Sequence, residues 1–516
     1  MRNPLQGVPR RTIVAASTVV AVLLTVGVAV AIRRAAGRDK EPEVQAAGTT
    51  PSGVPGATLS PLPAASSESP APASPSSTGS ASGSAVAASP SLSVSVPLTP
   101  SETPSSSPPP TSSPSQPASS PTTAAPTVRP PATGPVITRE FFGLHIHDPV
   151  KRWPKVAFGS VRLWDSGVTW RQMQPTRTTW NFAALDAQVA QANAAGKDII
   201  MVLGVTPQWA ASRPNEAANY GAGAASPPRN LADWTTYVRT LAQRYQGKIT
   251  KWELWNEPNA VLFWSAKPAA SMVPLAKSAY EVLKAADPAN IVLSPGIIVR
   301  TLNSPLWLDE YLAAGGGRYA DVIAAHFYVK TFERPEALRP SMERIRAIMA
   351  KRGVADKPLW DTESSMGEAN RDLIYSEPLA SAYVAQALTL LAGHGIRRAY
   401  WYAWDDYTYT GLYLTRSNGK ATEAGRVFGL MSSWLVGARP DTCDRIASGT
   451  AEGAYACYFS RGDEQFQIVW HPGKTTPYAL PSGVRTVRRL NGASEAVSGS
   501  SVAIGVVPVL ITTAAA

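Results

Sequence analysis

The sequence predicts a (β/α)8 TIM barrel followed by a small C-terminal antiparallel β-domain. Three observations point to this fold class. Eight short apolar runs alternate with amphipathic stretches, closely spaced short strands follow them, and all 15 Trp residues lie between Trp153 and Trp470. Strands that alternate with helices form parallel sheets, and eight such units close into a barrel whose chemistry lies at the C-terminal strand ends.

The eight predicted strands are short, largely apolar runs. The strongest is residues 198–205, which contains five consecutive apolar residues from Ile199 to Leu203. Apolar residues recur at helical spacing between the runs, for example at Trp234, Val238 and Leu241. The predicted strands are residues 142–147, 160–165, 198–205, 251–256, 290–296, 321–328, 358–363 and 398–404.

The pattern changes near residue 435, so we place the barrel at residues 135–434 and a β-domain at residues 435–516. Short alternating runs such as 455–459, 465–470 and 501–511 are separated by Gly and Pro, which is typical of antiparallel strands and turns. We expect this domain to support the barrel. Trp470 is its obvious candidate for a sugar-stacking platform.

The first 38 residues predict a signal anchor, that is, a transmembrane segment. Residues 12–32 contain no charged side chain, and Arg residues flank them on both sides. This run is long enough to span a bilayer as a helix, and its length and the trailing Arg residues favour an anchor over a cleaved signal peptide. Either interpretation predicts an extracytoplasmic protein, held by a single-pass segment with its N-terminus inside or secreted after cleavage.

Residues 39–134 predict a disordered linker, because Pro, Ser, Ala, Thr and Gly make up almost all of residues 51–133. Such a composition buries too little apolar surface to offset the entropy of ordering the chain. Pro and Ser make the linker extended, which suits a spacer that holds a catalytic domain away from a membrane.

The net charge of +11 is spread over the chain. The folded part has no run of Lys and Arg with interleaved aromatic residues, so the sequence argues against nucleic-acid binding. Cys443 and Cys457 are the two cysteines. Outside the cytoplasm they would form a disulfide, and the alternative is a pair of buried thiols.

Two glutamates end predicted strands on opposite sides of the barrel. Glu257 follows the fourth strand in the run Trp255-Asn256-Glu257-Pro258, and Glu363 ends the seventh. Strict alternation along a strand predicts that Glu253, Trp255 and Glu257 share one side, as do Asp361 and Glu363. Glycoside hydrolysis needs such a pair, with one protonated carboxyl group and one carboxylate.

The placement of Asn256-Glu257-Pro258 and Glu363 resembles clan A of the glycoside hydrolases, the "4/7" retaining barrels. The resemblance covers roughly residues 141–434 and favours a family 39-like or family 5-like member. It implies that Glu257 is the acid/base and Glu363 the nucleophile. It also implies sugar-binding or supporting roles for further residues at the strand ends, namely Arg162, Asn256, His326, Tyr328 and either Trp401 or Trp404.

By this resemblance Asn256 binds the sugar 2-hydroxyl, Arg162 holds the nucleophile, and Tyr328 lies near it. Trp401 or Trp404 would form the floor of the subsite for the reacting sugar. His145 is expected to bind sugar or to pack beneath the site. His145 and His147 share one side of a strand, but no third ligand or His-Glu-x-x-His motif accompanies them, so we expect neither a metal nor another cofactor.

The sequence therefore predicts an exported retaining glycoside hydrolase that acts on a poly- or oligosaccharide. A transglycosidase that remodels envelope glycans would use the same residues. A protein of another class, a non-catalytic membrane-tethered glycan-binding protein, is the third hypothesis. The complete set of Glu257, Glu363, Asn256 and Arg162 argues for catalysis.

Overall fold

The structure is a computed structural model that describes residues 134–300, 304–367, 375–406, 411–484 and 486–513. The predicted transmembrane segment at residues 12–32 and nearly all of the predicted linker lie outside these ranges. Within them, no helix combines the length and the apolar character needed to cross a membrane.

The barrel is one parallel sheet in which the first and last strands are neighbours, because β1 pairs with both β2 and β9. The sheet order is β5-β4-β3-β2-β1-β9-β8-β7-β6. The predicted barrel is confirmed, with every strand except β8 shorter than predicted. The strands are β1 (Phe142–His145), β2 (Ser160–Leu163), β3 (Asp198–Leu203), β4 (Lys251–Leu254), β5 (Ile291–Leu293), β6 (Ile297–Ile298), β7 (Ile323–His326), β8 (Leu359–Ser364) and β9 (Ala399–Trp401).

The fifth predicted strand, residues 290–296, is interrupted in the structure and appears as β5 and β6. Pro295 lacks a backbone N–H, so a regular ladder cannot continue through residues 294–296. The barrel still closes here, because Leu293 bridges Val322 and the N–H of Ser294 donates to Val322 O at 2.9 Å. Counted along the barrel, β5 and β6 form one strand, and β8 is the seventh.

Helices cover the outside of the barrel through apolar faces. In α3, for example, Trp234, Tyr237, Val238 and Leu241 are fully buried against the strands. A helix of this kind gains most of its stability from that packing. The α-helices are α1 (Trp170–Met173), α2 (Ala183–Ala194), α3 (Leu231–Arg244), α4 (Val273–Ala286), α5 (Ser304–Ala313), α6 (Leu338–Lys351), α7 (Glu377–Gly393) and α8 (Glu423–Leu435).

The C-terminal region is antiparallel, as predicted. A six-stranded sheet has the order β10-β11-β12-β17-β14-β15, and β13 pairs with β16. The strands are β10 (Arg439–Arg445), β11 (Tyr455–Arg461), β12 (Glu464–Trp470), β13 (Thr476–Ala479), β14 (Thr486–Arg488), β15 (Ser494–Ala496), β16 (Ser501–Ile504) and β17 (Val509–Thr513).

Trp470 ties this sheet to the barrel and does not form a sugar platform. It is fully buried, stacks on Tyr455 with ring centroids 5.3 Å apart, and donates from Nε1 to Glu336 at 2.7 Å. Glu336 belongs to the connection that enters α6. The contacts of Trp470 support the expected role of the C-terminal strands, which is to support the barrel.

Cys443 and Cys457 form a disulfide between β10 and β11, where they occupy paired positions. Gly393, the last residue of α7, packs directly against Cys443, so the bond lies at the junction between sheet and barrel. This result decides between the two alternatives that the sequence left open.

We expect the double variant Cys443→Ser/Cys457→Ser to lose about 3 kcal/mol of unfolding free energy, because a bond that closes a loop of this length restricts the unfolded chain. The two residues are 14 positions apart. Urea unfolding of the wild type with and without reductant provides the control, since the reduced protein should match the double variant. An unfolding midpoint insensitive to both changes would contradict the prediction.

Candidate active site

The interior of the barrel is apolar near the N-terminal ends of the strands and contains charged side chains near their C-terminal ends. The lower layer is a closed apolar cluster that includes Ile200, Leu293, Trp360 and Tyr400. Above it lie side chains that seldom enter a protein interior without partners. The buried polar residues of this upper region are His145, Arg162, Glu253, Asn256, Glu257, His326, Thr362 and Glu363.

Glu363 has both carboxylate oxygens held by donors from other strands. Arg162 Nη1 donates to Oε2 at 2.7 Å, and Tyr328 Oη donates to Oε1 at 2.8 Å. The residue is 6% exposed. Because both oxygens accept hydrogen bonds, this nearly buried environment suits an ionised carboxylate.

Glu257 lies beside a different partner. His326 Nδ1 is 3.0 Å from Glu257 Oε1, and the backbone N–H of Glu257 donates to Gly296 O at 2.8 Å. Glu257 is 7% exposed. His326 therefore lies within hydrogen-bonding distance of this carboxyl group.

Strict alternation fails at the end of β4, which corrects the expectation that Trp255 and Glu257 share a side. Trp255 and Glu257 both have left-handed backbones, with φ of 61° and 48°. This twist turns Trp255 into the apolar layer outside the strands and brings both Asn256 and Glu257 to the interior. For non-glycine residues such a conformation is uncommon and is concentrated at functional sites.

A β-bulge at the end of β8 has a similar effect. Asp361 pairs with Ala399 and Ser364 with Trp401, so three steps along β8 match two along β9. As a result the neighbours Thr362 and Glu363 both contact the interior network, whereas Asp361 bonds to Ser364 Oγ and the Phe327 N–H. The prediction that Asp361 and Glu363 share a side was therefore wrong, because an inserted residue changes the alternation.

The two glutamates face each other across the mouth of the barrel. One carboxylate oxygen of Glu257, one of Glu363 and a ring nitrogen of His326 all lie within 4.8 Å of one another. Arg162 links the same group from below, because its Nη2 donates to Asn256 Oδ1 at 2.8 Å while its Nη1 holds Glu363. Thus Glu257, Glu363, Arg162 and Asn256 are brought together as predicted.

The charges of this group depend on one another. Burial by itself lowers the pKa of His326, but Glu363, Glu253 and Glu257 outweigh that effect and raise it to about 9. The same kind of balance raises the pKa of Arg162, through Glu253 and Glu363. A pKa above neutrality favours the imidazolium form of His326, whose Nδ1–H can donate to Glu257 Oε1.

A second polar cluster lies at the ends of β1, β2 and β9. His145 Nε2 bonds to Asp165 Oδ1, and Tyr402 Oη donates to Asp165 Oδ2 at 3.0 Å. His147 Nδ1 lies 3.1 Å from Asp405 Oδ1, and its Nε2 lies 3.0 Å from Tyr402 Oη. His145 is fully buried, so it packs beneath the rim rather than on an open surface.

Two groups of described residues bring three metal-ligand atoms within 4.8 Å: His145, His147 and Asp165, and Glu257, His326 and Glu363. In both, the side chains bond to each other or to neighbouring side chains, and Asp165 is the third potential ligand that the sequence did not reveal beside His145 and His147. His145 pairs with Asp165, and His147 with Asp405 and Tyr402. The geometry is explained as two hydrogen-bonded networks.

The stability of the second cluster should depend on pH. Burial alone raises the pKa of Asp165, but His145 and His147 outweigh it and hold that pKa well below its ordinary value. Burial likewise lowers the pKa of His147, but Asp165 and Asp405 raise it to about 10. The carboxylate stabilises the fold above its unfolded pKa, and the imidazolium does so until the pH rises through its folded pKa.

We therefore expect Asp165→Asn to destabilise the protein most between about pH 4 and pH 6.5, progressively less as the pH rises toward 10, and less again below pH 4. Urea unfolding across pH measures the difference from the wild type. Asp148→Asn is the control, because the Asp148 side chain is 42% exposed and pairs only with Lys151, at 3.5 Å, among the described ion pairs. A constant difference at every pH would contradict the expected charge pairing.

Trp401 and Trp404 do not reach the mouth of the barrel, which corrects their expected role as sugar platforms. Both are 3% exposed and belong to the large apolar cluster outside the strands. Tyr400 points into the barrel, so alternation turns Trp401 outward and Tyr402 inward. Tyr402 is the aromatic residue at the site, with its ring 4.6 Å from that of His145 and 6.5 Å from that of Tyr328.

Sequence reasoning also missed Glu253. It is fully buried and accepts from Arg162 Nε at 2.7 Å and from Thr362 Oγ1 at 2.9 Å. A signal was present, because a carboxylate flanked by Trp252 and Leu254 within a buried strand needs a charged partner. The Arg in the second strand was available as that partner.

Comparison with known proteins finds similar chains. A curated beta-xylosidase from Geobacillus stearothermophilus is 24% identical over 246 residues, which are 43% of this chain and 48% of that protein. The chain thus spans about half the length of this relative.

Solved structures show the same fold at low identity. A family 39 glycoside hydrolase from Bacteroides cellulosilyticus has 17% identity and a TM-score of 0.58, over 73% of this chain and 82% of that one. A family 39 beta-xylosidase from Caulobacter crescentus has 16% identity and a TM-score of 0.54, over 74% and 97%. The profile of Glycosyl hydrolases family 39 matches residues 152–416, just over half of the 516 residues. The chain therefore belongs to glycosyl hydrolase family 39.

Proposed function

We propose that this protein is a retaining glycoside hydrolase in which Glu257 is the acid/base and Glu363 the nucleophile. The observation that carries the proposal is the close pair of carboxyl groups, whose nearest oxygens lie within 4.8 Å. A short separation leaves no room for a water molecule between carboxylate and sugar, which favours a covalent intermediate over direct attack by water.

The different partners of the two glutamates support the division of labour. Glu363 is held by Arg162 and Tyr328, which suits the group that must be ionised to attack. Glu257 faces His326, whose ring nitrogen is a hydrogen-bonding partner for either protonation state of the carboxyl group. A general acid must also act as a base in the second half of the reaction, so a partner that tolerates both states is suitable.

In the first step a Glu363 oxygen attacks the anomeric carbon and forms an ester. The bond to the leaving oxygen breaks as Glu257 donates its proton to that oxygen. In the second step Glu257 takes a proton from water, the water oxygen attacks the same carbon, and Glu363 is released as a carboxylate. Asn256 Oδ1 is fixed by Arg162, so its amide nitrogen is the donor available for the sugar 2-hydroxyl.

We propose a β-linked xyloside as the first substrate class, because the curated relative and one structural neighbour are beta-xylosidases. The test is turnover of a panel of nitrophenyl glycosides, followed by NMR of the first product formed. We expect hydrolysis of the β-xyloside and release of the β-anomer before mutarotation. Initial release of the α-anomer would refute the retaining mechanism.

An activated fluorosugar, which traps the glycosyl-enzyme, tests the nucleophile directly. We expect mass spectrometry to find the adduct on the peptide that contains Glu363, and to find none in Glu363→Gln. Transfer of the sugar to an added glycan in place of water would favour a transglycosidase. Absence of turnover on every glycan, with binding retained in Glu257→Gln, would favour a glycan-binding protein.

We also propose that the protein is exported and anchored through residues 12–32. The uncharged run flanked by Arg supports this location, as does the disulfide between Cys443 and Cys457, because such bonds persist in oxidising compartments. Fractionation of cells that express the full chain should recover it with the membrane and accessible to added protease. Recovery from the medium of a protein that lacks the N-terminal segment would indicate cleavage instead.

A further inference from the structure

A third buried carboxylate, Glu253, lies beneath the catalytic pair. It is 0% exposed and contacts both residues that hold the pair. Arg162 donates to its two oxygens at 2.7 and 3.2 Å, and His326 Nε2 lies 3.7 Å from Oε1. Arg162 is the partner of Glu363, and His326 is the partner of Glu257.

The backbone is shaped to keep Glu253 and His326 together. Gly296 passes so close that a Cβ atom there would overlap both Glu253 Oε1 and His326 Nε2. Thr362 Oγ1 donates to the same Glu253 oxygen at 2.9 Å. Residues of β2, β7 and β8, together with the loop between β5 and β6, therefore fix the Glu253 carboxylate between Arg162 and His326.

We propose, on the basis of the proposed function, that Glu253 is a positioning residue whose permanent negative charge keeps the site electrically balanced through both steps of the reaction. It does not touch the reacting atoms. It acts through Arg162 and His326, which in turn hold the nucleophile and the acid/base.

Counting the charges explains the need for a third carboxylate. Before reaction, Arg162 and His326 carry two positive charges, Glu363 carries one negative charge, and Glu257 is protonated. In the glycosyl-enzyme Glu363 is a neutral ester and Glu257 has become the carboxylate. Each state has one negative charge on the pair, so one further anion is required for neutrality, and Glu253 supplies it.

Balance matters here because an unpaired charge in a buried site is costly. With Glu253 present, the charge on the catalytic pair moves from Glu363 to Glu257 while the total stays constant. The effect is seen at His326: burial by itself would lower the pKa of the ring, but Glu363, Glu253 and Glu257 raise it. Without Glu253 the site would carry an excess positive charge in both states.

Other ionisable groups surround the Glu257 and Glu363 pair, and they lie near the ends of several strands. Asp165 and Tyr220 interact electrostatically with the site from the side of β2 and β3, and Tyr402 does so from β9. The titratable or charged groups that face Glu257, Glu253 or their partners are Arg162, Asp165, Tyr220, His326, Tyr328, Asp361, Glu363 and Tyr402. Glu253 and Glu363 both lie within ion-pair distance of Arg162 and His326, and of the two only Glu253 is fully buried and away from the mouth of the barrel.

The test compares the pH profile of kcat/KM in Glu253→Gln and Glu253→Asp. Loss of the negative charge favours ionisation of the remaining carboxyl groups, so Glu253→Gln should move the alkaline limb to lower pH by about one unit. Glu253→Asp keeps the charge and should leave the limb in place while lowering kcat through poorer positioning. Thr362→Val is the control, since it removes a hydrogen bond to Glu253 without changing charge.

If Glu253 had a purely structural role, all three variants would show a lower maximum of kcat/KM with the alkaline limb of the pH profile unmoved. That result would overturn the proposal.

The second measurement needs no activity and no variant of Glu253. Ring nitrogen NMR of the wild type should show His326 doubly protonated at neutral pH, with the signal identified by its loss in His326→Gln. A neutral His326 ring would also overturn the proposal. Absence of turnover with a protonated His326 would refute the proposed function alone.

Discussion

Glu363→Ala should lower kcat/KM for an activated β-xyloside by at least about 10⁴-fold, the scale of loss when a hydrolase loses its covalent nucleophile. The carboxylate is fixed on both oxygens by Arg162 and Tyr328. Azide should restore part of the rate. It would attack the anomeric carbon from the vacated side and give the α-glycosyl azide.

Glu257→Ala is the matched control, because azide should then yield the opposite anomer. In that variant Glu363 still forms the glycosyl-enzyme from a substrate with a good leaving group, and azide attacks the ester to give the β-glycosyl azide. NMR of the azide products distinguishes the two roles without reliance on rates. The same anomer from both variants, or the reverse assignment, would contradict the division of labour.

The sequence was sufficient to predict the barrel and the strand ends that carry the two glutamates. Both depend on properties that are local or periodic: apolar runs, helical spacing, and the rule that chemistry lies at the C-terminal ends of parallel strands. Glu257 and Glu363 could be chosen because the motif around Glu257 and the position of Glu363 agreed. The roles expected of Arg162, Asn256, His326 and Tyr328 came from the resemblance to clan A.

The side on which a residue faces could not be predicted where the backbone is irregular. Trp255 and Glu257 have positive φ, and β8 contains an extra residue before Ser364. Neither feature follows from the identity of these residues, because Trp and Glu rarely adopt a left-handed conformation. The irregularities allow neighbours such as Asn256 and Glu257, or Thr362 and Glu363, to reach the site together.

The aromatic residues of β9 show a different limit. The run from Tyr400 to Trp404 contains four aromatic side chains, and composition alone favours Trp as a sugar platform. The structure selects Tyr402, because the inward position of Tyr400 fixes the alternation for the residues after it. A buried Trp indole and an accessible one cannot be distinguished until the register with β1 and β8 is known.

Arg162→Met should cost about 3–5 kcal/mol of unfolding free energy at neutral pH, because it leaves buried carboxylates without their partner. Arg162 is 1% exposed and holds Glu253, Asn256 and Glu363 at once. Burial raises the pKa of Glu253, but Arg162 and His326 outweigh it and lower that pKa. The stabilisation is therefore present above the unfolded pKa, near about 4.3, and is lost as the pH falls below it.

The double variant Arg162→Met/Glu253→Gln separates the ion pair from the loss of packing. Because removal of Glu253 also removes one uncompensated charge, the double variant should be less destabilised than the sum of the two single changes. Urea unfolding at neutral and acid pH measures this coupling, which should shrink at acid pH. Arg426→Met is the surface control: its ion pair with Glu423 on α8 is exposed, so its loss should cost less than about 1 kcal/mol. Additive costs at neutral pH would mean that Arg162 stabilises the barrel by packing alone, and the view of the site as one balanced charge network would then be wrong.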